Sequence, residues 1–144
     1  MDRSEARALV ARGFSVGGHS MTHACMTRLP PDEQRAEASG SAGMVRGLQG
    51  DGMLAFAYPF GSVGTYSAGT RRLLSEAGFA CALTTRSGLV GPTSDPFELR
   101  RLEIGELDEA EFMAAVSGLL SFPKASTRSV REWLTGTRAA AEES

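Results

Sequence analysis

The chain has 144 residues, of which 42% are hydrophobic and 22% charged. That is the balance of a globular protein with room for one domain, and it excludes disorder, collagen and coiled coil. Fifteen Lys and Arg against seventeen Asp and Glu give a net charge of -2, so nothing electrostatic favours nucleic acid or anionic membranes as partners. No apolar run approaches the roughly 20 residues of a membrane helix. The opening Met1-Asp2-Arg3-Ser4-Glu5 carries charges where a signal peptide would be apolar. As written, the chain is expected in the cytoplasm, or outside it if an N-terminal segment precedes Met1. The two cysteines, Cys25 and Cys81, lie far apart without a CxxC spacing and are expected as buried free thiols.

Residues 2–12 are rich in helix formers and are followed by Gly13, which predicts a first helix with a glycine cap. Phe14 to Gly18 alternates apolar and small residues and reads as a short strand delivering His19 at its end. Pro30-Pro31-Asp32 starts a second helix that closes among Gly47 to Gly52, and its scarcity of large apolar side chains predicts an exposed element. Met53 to Tyr58 has the length and continuous apolarity of a buried strand, stopped by Pro59 and Gly61. A helix over Thr65–Ala77, a strand over Phe79–Thr85, a last strand over Phe97–Ile104 and an amphipathic helix over Asp108–Leu120 complete the alternation. Strands separated by helices predict a parallel α/β sheet whose functional loops sit at the strand carboxyl ends. The domain is placed at 1–122, with a frayed tail at 123–144.

The two histidines of the chain occur together, as His19-Ser20-Met21-Thr22-His23. In a helical turn an i,i+4 pair turns both imidazoles to one side, where they can share a divalent metal, zinc being the natural ion for such ligands. The spacing alone is equally that of a polar loop with locally bonded histidines. Ser20 and Thr22 can brace such a loop through hydrogen bonds from side chain to backbone. Tyr58-Pro59-Phe60-Gly61 ends the central strand in a rigid wall of sugar-ring size, and a backbone N–H after the proline can be aimed at a developing oxyanion. The same residues would also serve as a hydrophobic strand cap.

Taken together these segments resemble the polysaccharide deacetylases with a NodB homology domain, carbohydrate esterase family 4. Gly17-Gly18-His19-Ser20-Met21-Thr22-His23 fits the family's His-Ser/Thr-x-x-His metal motif. Phe56-Ala57-Tyr58-Pro59-Phe60-Gly61 fits the Phe-Ala-Tyr-Pro-Tyr/Phe-Gly of one branch, the other branch having arginine where Ala57 stands. Gly78 to Thr85 and Leu99 to Ile104 are similar to two later strands, so the resemblance covers the first helix to Leu120.

What the resemblance implies is a metal-dependent hydrolase that removes acetyl groups from a polysaccharide or aminosugar polymer, on a partial, distorted (β/α) barrel missing its first strands. His19 and His23 would hold the metal, which polarises the acetyl carbonyl and activates water. Ser20 would support these ligands from behind, the Phe60 N–H would act catalytically by stabilising the oxyanion, and Tyr58 and Pro59 would line the substrate groove. The family's Thr-Phe-Asp-Asp motif, source of the base and the third metal ligand, has no counterpart here, and neither has its late Leu-x-His. An upstream segment or separate chain is expected to supply the Asp-Asp strand. The alternative is a catalytically inactive remnant that still binds carbohydrate.

Overall fold

The computed structural model describes residues 2–102 and 104–118. The tail predicted over 123–144 and the final residues of the Asp108–Leu120 helix lie outside these. The chain divides into two units, Met1–Arg86 with Gly91–Arg100 and Ser87–Val90 with Arg101–Ser144.

In the first unit, α1 (Arg3–Ala11) starts at Asp2, whose carboxylate accepts the Ser4 and Glu5 N–H groups while Glu5 reaches back to the Asp2 N–H. This reciprocal cap satisfies donors that a helix start otherwise leaves open. Gly13 then turns the chain at φ 88°. The strand expected at Phe14 to Gly18 shrinks to a single parallel bridge, with Gly18 N–H donating to the Ala55 carbonyl and Ala57 N–H to the Gly18 carbonyl, both at 2.8 Å. Glycine is required there because a Cβ on Gly18 would stand 2.6 Å from Ser41 Oγ and 2.7 Å from the Phe79 ring.

A three-stranded sheet of order β1-β2-β3 is built from β1 (Ala55–Ala57), β2 (Cys81–Ser87) and β3 (Leu99–Arg101). β1 and β2 are parallel, with Phe56 opposite Ala82. Burial alternates along β1 instead of running continuously: Leu54, Phe56 and Tyr58 point into the core, whereas Ala55 and Ala57 are half-buried. Phe56 meets both Tyr58 and Phe79 edge-on, at 5.6 and 5.1 Å, and Tyr58 stacks on Tyr66 at 4.3 Å. Such pairs add about 0.5–1.5 kcal/mol each beyond the area they bury.

The long helix α2 (Pro31–Gln49) packs against α1 and against α3 (Ala68–Glu76). It is not the exposed element its composition predicts, since Gln34, Glu37, Ala38, Ser41, Ala42 and Val45 are all buried. Small side chains here permit close approach of neighbouring backbone. Gln34 is tolerated inside because its amide donates to the Leu29 carbonyl at 2.9 Å and accepts from the Thr70 hydroxyl at 2.7 Å. α3 begins later than expected because Ser67 and Thr70 form the cap. Arg71 on α3 pairs with Asp95 at 2.6 Å and Glu98 at 2.8 Å, tying that helix to the approach to β3.

In the second unit α4 (Glu109–Val116) starts at the Asp108 cap, completed by Glu111. The cysteines are free and half-buried. Among the described residues no helix is long and apolar enough to cross a membrane.

Candidate active site

The bridge at Gly18 sets His19 beside the end of β1, so the histidine segment and the Tyr58–Gly61 loop emerge together. The segment is not the helical turn its spacing suggests. Ser20 (φ 63°) and His23 (φ 58°) both take left-handed backbone, a conformation that costs an ordinary L-residue about 1–2 kcal/mol. The compensation comes from α2. Glu37 Oε2 accepts the Met21 N–H at 2.6 Å and the Thr22 N–H at 3.0 Å, and Oε1 accepts the Thr22 hydroxyl at 2.8 Å. Backbone donors that a helix would turn onto its own carbonyls thus point at a carboxylate on a neighbouring element.

Burial pushes the Glu37 carboxyl up, but the hydrogen bonds from the Thr22 backbone, the Thr22 hydroxyl and the Met21 backbone outweigh it and hold the group below the ordinary glutamate value. Thr22 thus braces the loop against the Glu37 side chain, which accepts both its N–H and its hydroxyl, and not against a backbone acceptor. Among the described residues the enclosed Ser20 hydroxyl meets no partner with hydrogen-bond geometry, although it is near enough to Glu37 to favour its charged form.

The loop brings the two imidazoles to a centroid separation of 4.9 Å at 69°. His19 Nδ1 lies 2.8 Å from the Ala57 carbonyl oxygen. A carbonyl only accepts, so in the neutral ring Nδ1 carries the proton and Nε2 keeps its lone pair, the arrangement metal-binding imidazoles adopt. Both histidines are exposed. The two side chains are the ones that could hold a divalent ion, as two of its ligands. Among the described residues no group of three or more His, Cys, Asp or Glu side chains is placed to complete it.

Phe60 adjoins the pair, its ring 5.5 Å from that of His23 and 49% exposed. Its carbonyl accepts the Thr85 hydroxyl at 3.0 Å, and the Gly61 carbonyl accepts the Thr85 N–H at 3.1 Å, which locks the loop onto β2. No backbone acceptor among the described residues takes the Phe60 N–H. Half-buried Pro59 precedes it.

Tyr58 does not line a groove. It is 1% exposed, stacked on Tyr66, and its hydroxyl donates to the Phe97 carbonyl at 3.0 Å. Burial, and then the neighbouring Tyr66, raise its phenol well above the usual tyrosine value. Sequence reasoning missed Glu37 and the Ala57 carbonyl. A backbone acceptor leaves no mark on composition, but Glu37 stands beside Ala38 and one turn before Ser41, on the small-residue stripe that marks the buried face.

A family model described as polysaccharide deacetylase matches residues 1–82, the stretch that holds both histidines and the Phe60 loop. The solved structure of Streptococcus pyogenes deacetylase PplD in complex with acetate superposes with a TM-score of 0.69 at 19% identity, over 82% of this chain and 50% of that one. At that identity the likeness is one of fold, and this chain spans half the length of its structural relative. No curated protein sequence matches the chain. By the family match over more than half its length, the chain belongs to the polysaccharide deacetylase family, with a partial NodB-type fold.

Proposed function

We propose that the chain is the histidine-bearing part of a metal-dependent carbohydrate deacetylase, acting on an acetylated polysaccharide or aminosugar oligomer. The observation that carries this reading is the paired His19 and His23 rings with the Phe60 ring against them, on a residue whose N–H meets no backbone acceptor among the described residues. His19 and His23 would hold a divalent ion, zinc by preference for imidazole. When bound, such an ion polarises an acetyl carbonyl and activates water.

The chain's own residues do the rest of the positioning. The Ala57 carbonyl fixes the His19 tautomer, and the Phe60 N–H is available to receive negative charge on the acetyl oxygen. Pro59 holds that N–H in place, and the exposed Phe60 ring offers a flat apolar face to a sugar. Glu37 is committed to the loop, so the third ligand and the base come from outside the described residues, from a further segment or a partner chain. The acetate in the PplD structure is the product that this chemistry would release.

The two-ligand set also favours a second reading, an inactive carbohydrate-binding remnant. Acetate release from an acetylated aminosugar oligomer, measured with and without added zinc on the chain joined to the segment or partner that carries the base, separates them. Zinc-stimulated release supports the enzyme, binding of unchanged oligomer supports the remnant, and neither binding nor release contradicts both.

A further inference from the structure

Glu37 is buried at 8% exposure on a helix that carries neither histidine, yet its contacts fall within the His19–His23 segment. We propose that Glu37 is a positioning residue of the histidine site, its carboxylate setting the left-handed path that brings the two imidazoles together. The consequence for metal rests on the functional reading above, whereas the effect on the loop does not.

Three features support this role. A single carboxylate oxygen receives two successive N–H groups, which fixes the peptide planes between Ser20 and Thr22 and leaves no freedom for the helical alternative. Hydrogen bonds to a charged acceptor are about twice as strong as neutral ones, enough to offset the two left-handed residues. Gly40, one turn further along α2, lets the Met21 side chain lie against the helix, where a Cβ would come to 3.0 Å from Met21 Cγ. The loop is thereby seated on α2 by both polar and apolar contacts, and the seat is specific in length. Aspartate is one methylene short of the two N–H groups. Glutamine keeps one oxygen for them and turns its amide toward the Thr22 hydroxyl, which can accept.

The test compares wild type with Glu37→Ala, Glu37→Gln, Glu37→Asp and Gln34→Ala by NMR. Gln34 is a control because it is equally buried on α2 but anchors Leu29 and Thr70. Glu37→Ala is expected to lose the cross-ring NOE between His19 and His23 and to speed amide exchange at Met21 and Thr22 about tenfold or more. Glu37→Gln should restore the NOE, and Gln34→Ala should leave both readouts unchanged. Retention of the NOE and protection in Glu37→Ala, or their equal loss in Gln34→Ala, would overturn the proposal. Should Glu37→Ala not fold, Glu37→Asp decides, since it keeps the charge but falls one methylene short of the two N–H groups: faster Met21 and Thr22 exchange supports the role and wild-type exchange refutes it. Calorimetry with zinc chloride is then read separately. Absence of zinc binding in wild type counts against the metal reading, and leaves the NOE result to judge Glu37.

Discussion

Gly61 shows how a single residue fixes the site loop. At φ 61° it occupies the left-handed region, and an added Cβ would stand 2.6 Å from the Thr85 backbone nitrogen. Gly61→Ala combines about 1–2 kcal/mol of backbone cost with a clash that a β-strand cannot relieve, so a loss of about 2–4 kcal/mol is expected in urea denaturation. A loss below ~1 kcal/mol would show that the loop is not locked to β2. Tyr58 makes the complementary point. Tyr58→Phe deletes the hydroxyl that donates to Phe97 and should cost about 1 kcal/mol of stability, with no change in oligosaccharide affinity. Reduced affinity at unchanged stability would return Tyr58 to the groove. The segment was legible as a strand ending in a loop, but reading its apolar run as buried throughout hid the period of two that sends Phe56 and Tyr58 inward. Phe60 escapes because the strand ends at Ala57 and Gly61 turns the chain.

At the scale of elements, the helices announce their ends and conceal their faces. Gly13, Pro31 and Asp108 were readable because caps are local chemistry. The burial of α2 was not, because it depends on what packs there, and a stripe of Ala, Ser and Gly looks the same on a solvent face and at a close contact. The strand before His19 shrinks to one bridge for a related reason, since how far it pairs depends on Phe56 in another segment and not on its own alternation. Glu37 makes this packing sensitive to pH. Its carboxyl is held below the ordinary value of 4.5, so the charged form stabilises the fold above that pH, and the contribution is lost as pH falls through the lowered folded value. The urea midpoint of wild type should therefore fall more steeply than that of Glu37→Gln as pH is lowered through and below 4.5. Equal slopes would show that folding does not lower the Glu37 carboxyl.

For the whole molecule, a short sheet and its helices bring together segments separated in sequence, so that His19, His23 and Phe60 stand at one end of β1. Family membership was legible from two ordered motifs, since each occupies a strand end and its loop. The way the histidines meet was not, because a buried carboxylate from α2 and two left-handed residues replace the helical turn that the spacing suggests. The proposed function stands on these two imidazoles sharing one divalent ion. Calorimetric titration of the wild-type chain with zinc, set beside His19→Ala and His23→Ala, tests it most directly. One zinc per chain is expected, with affinity reduced about tenfold or more, and to a similar extent, in each variant. Wild-type affinity in both variants would contradict it and place any bound metal elsewhere.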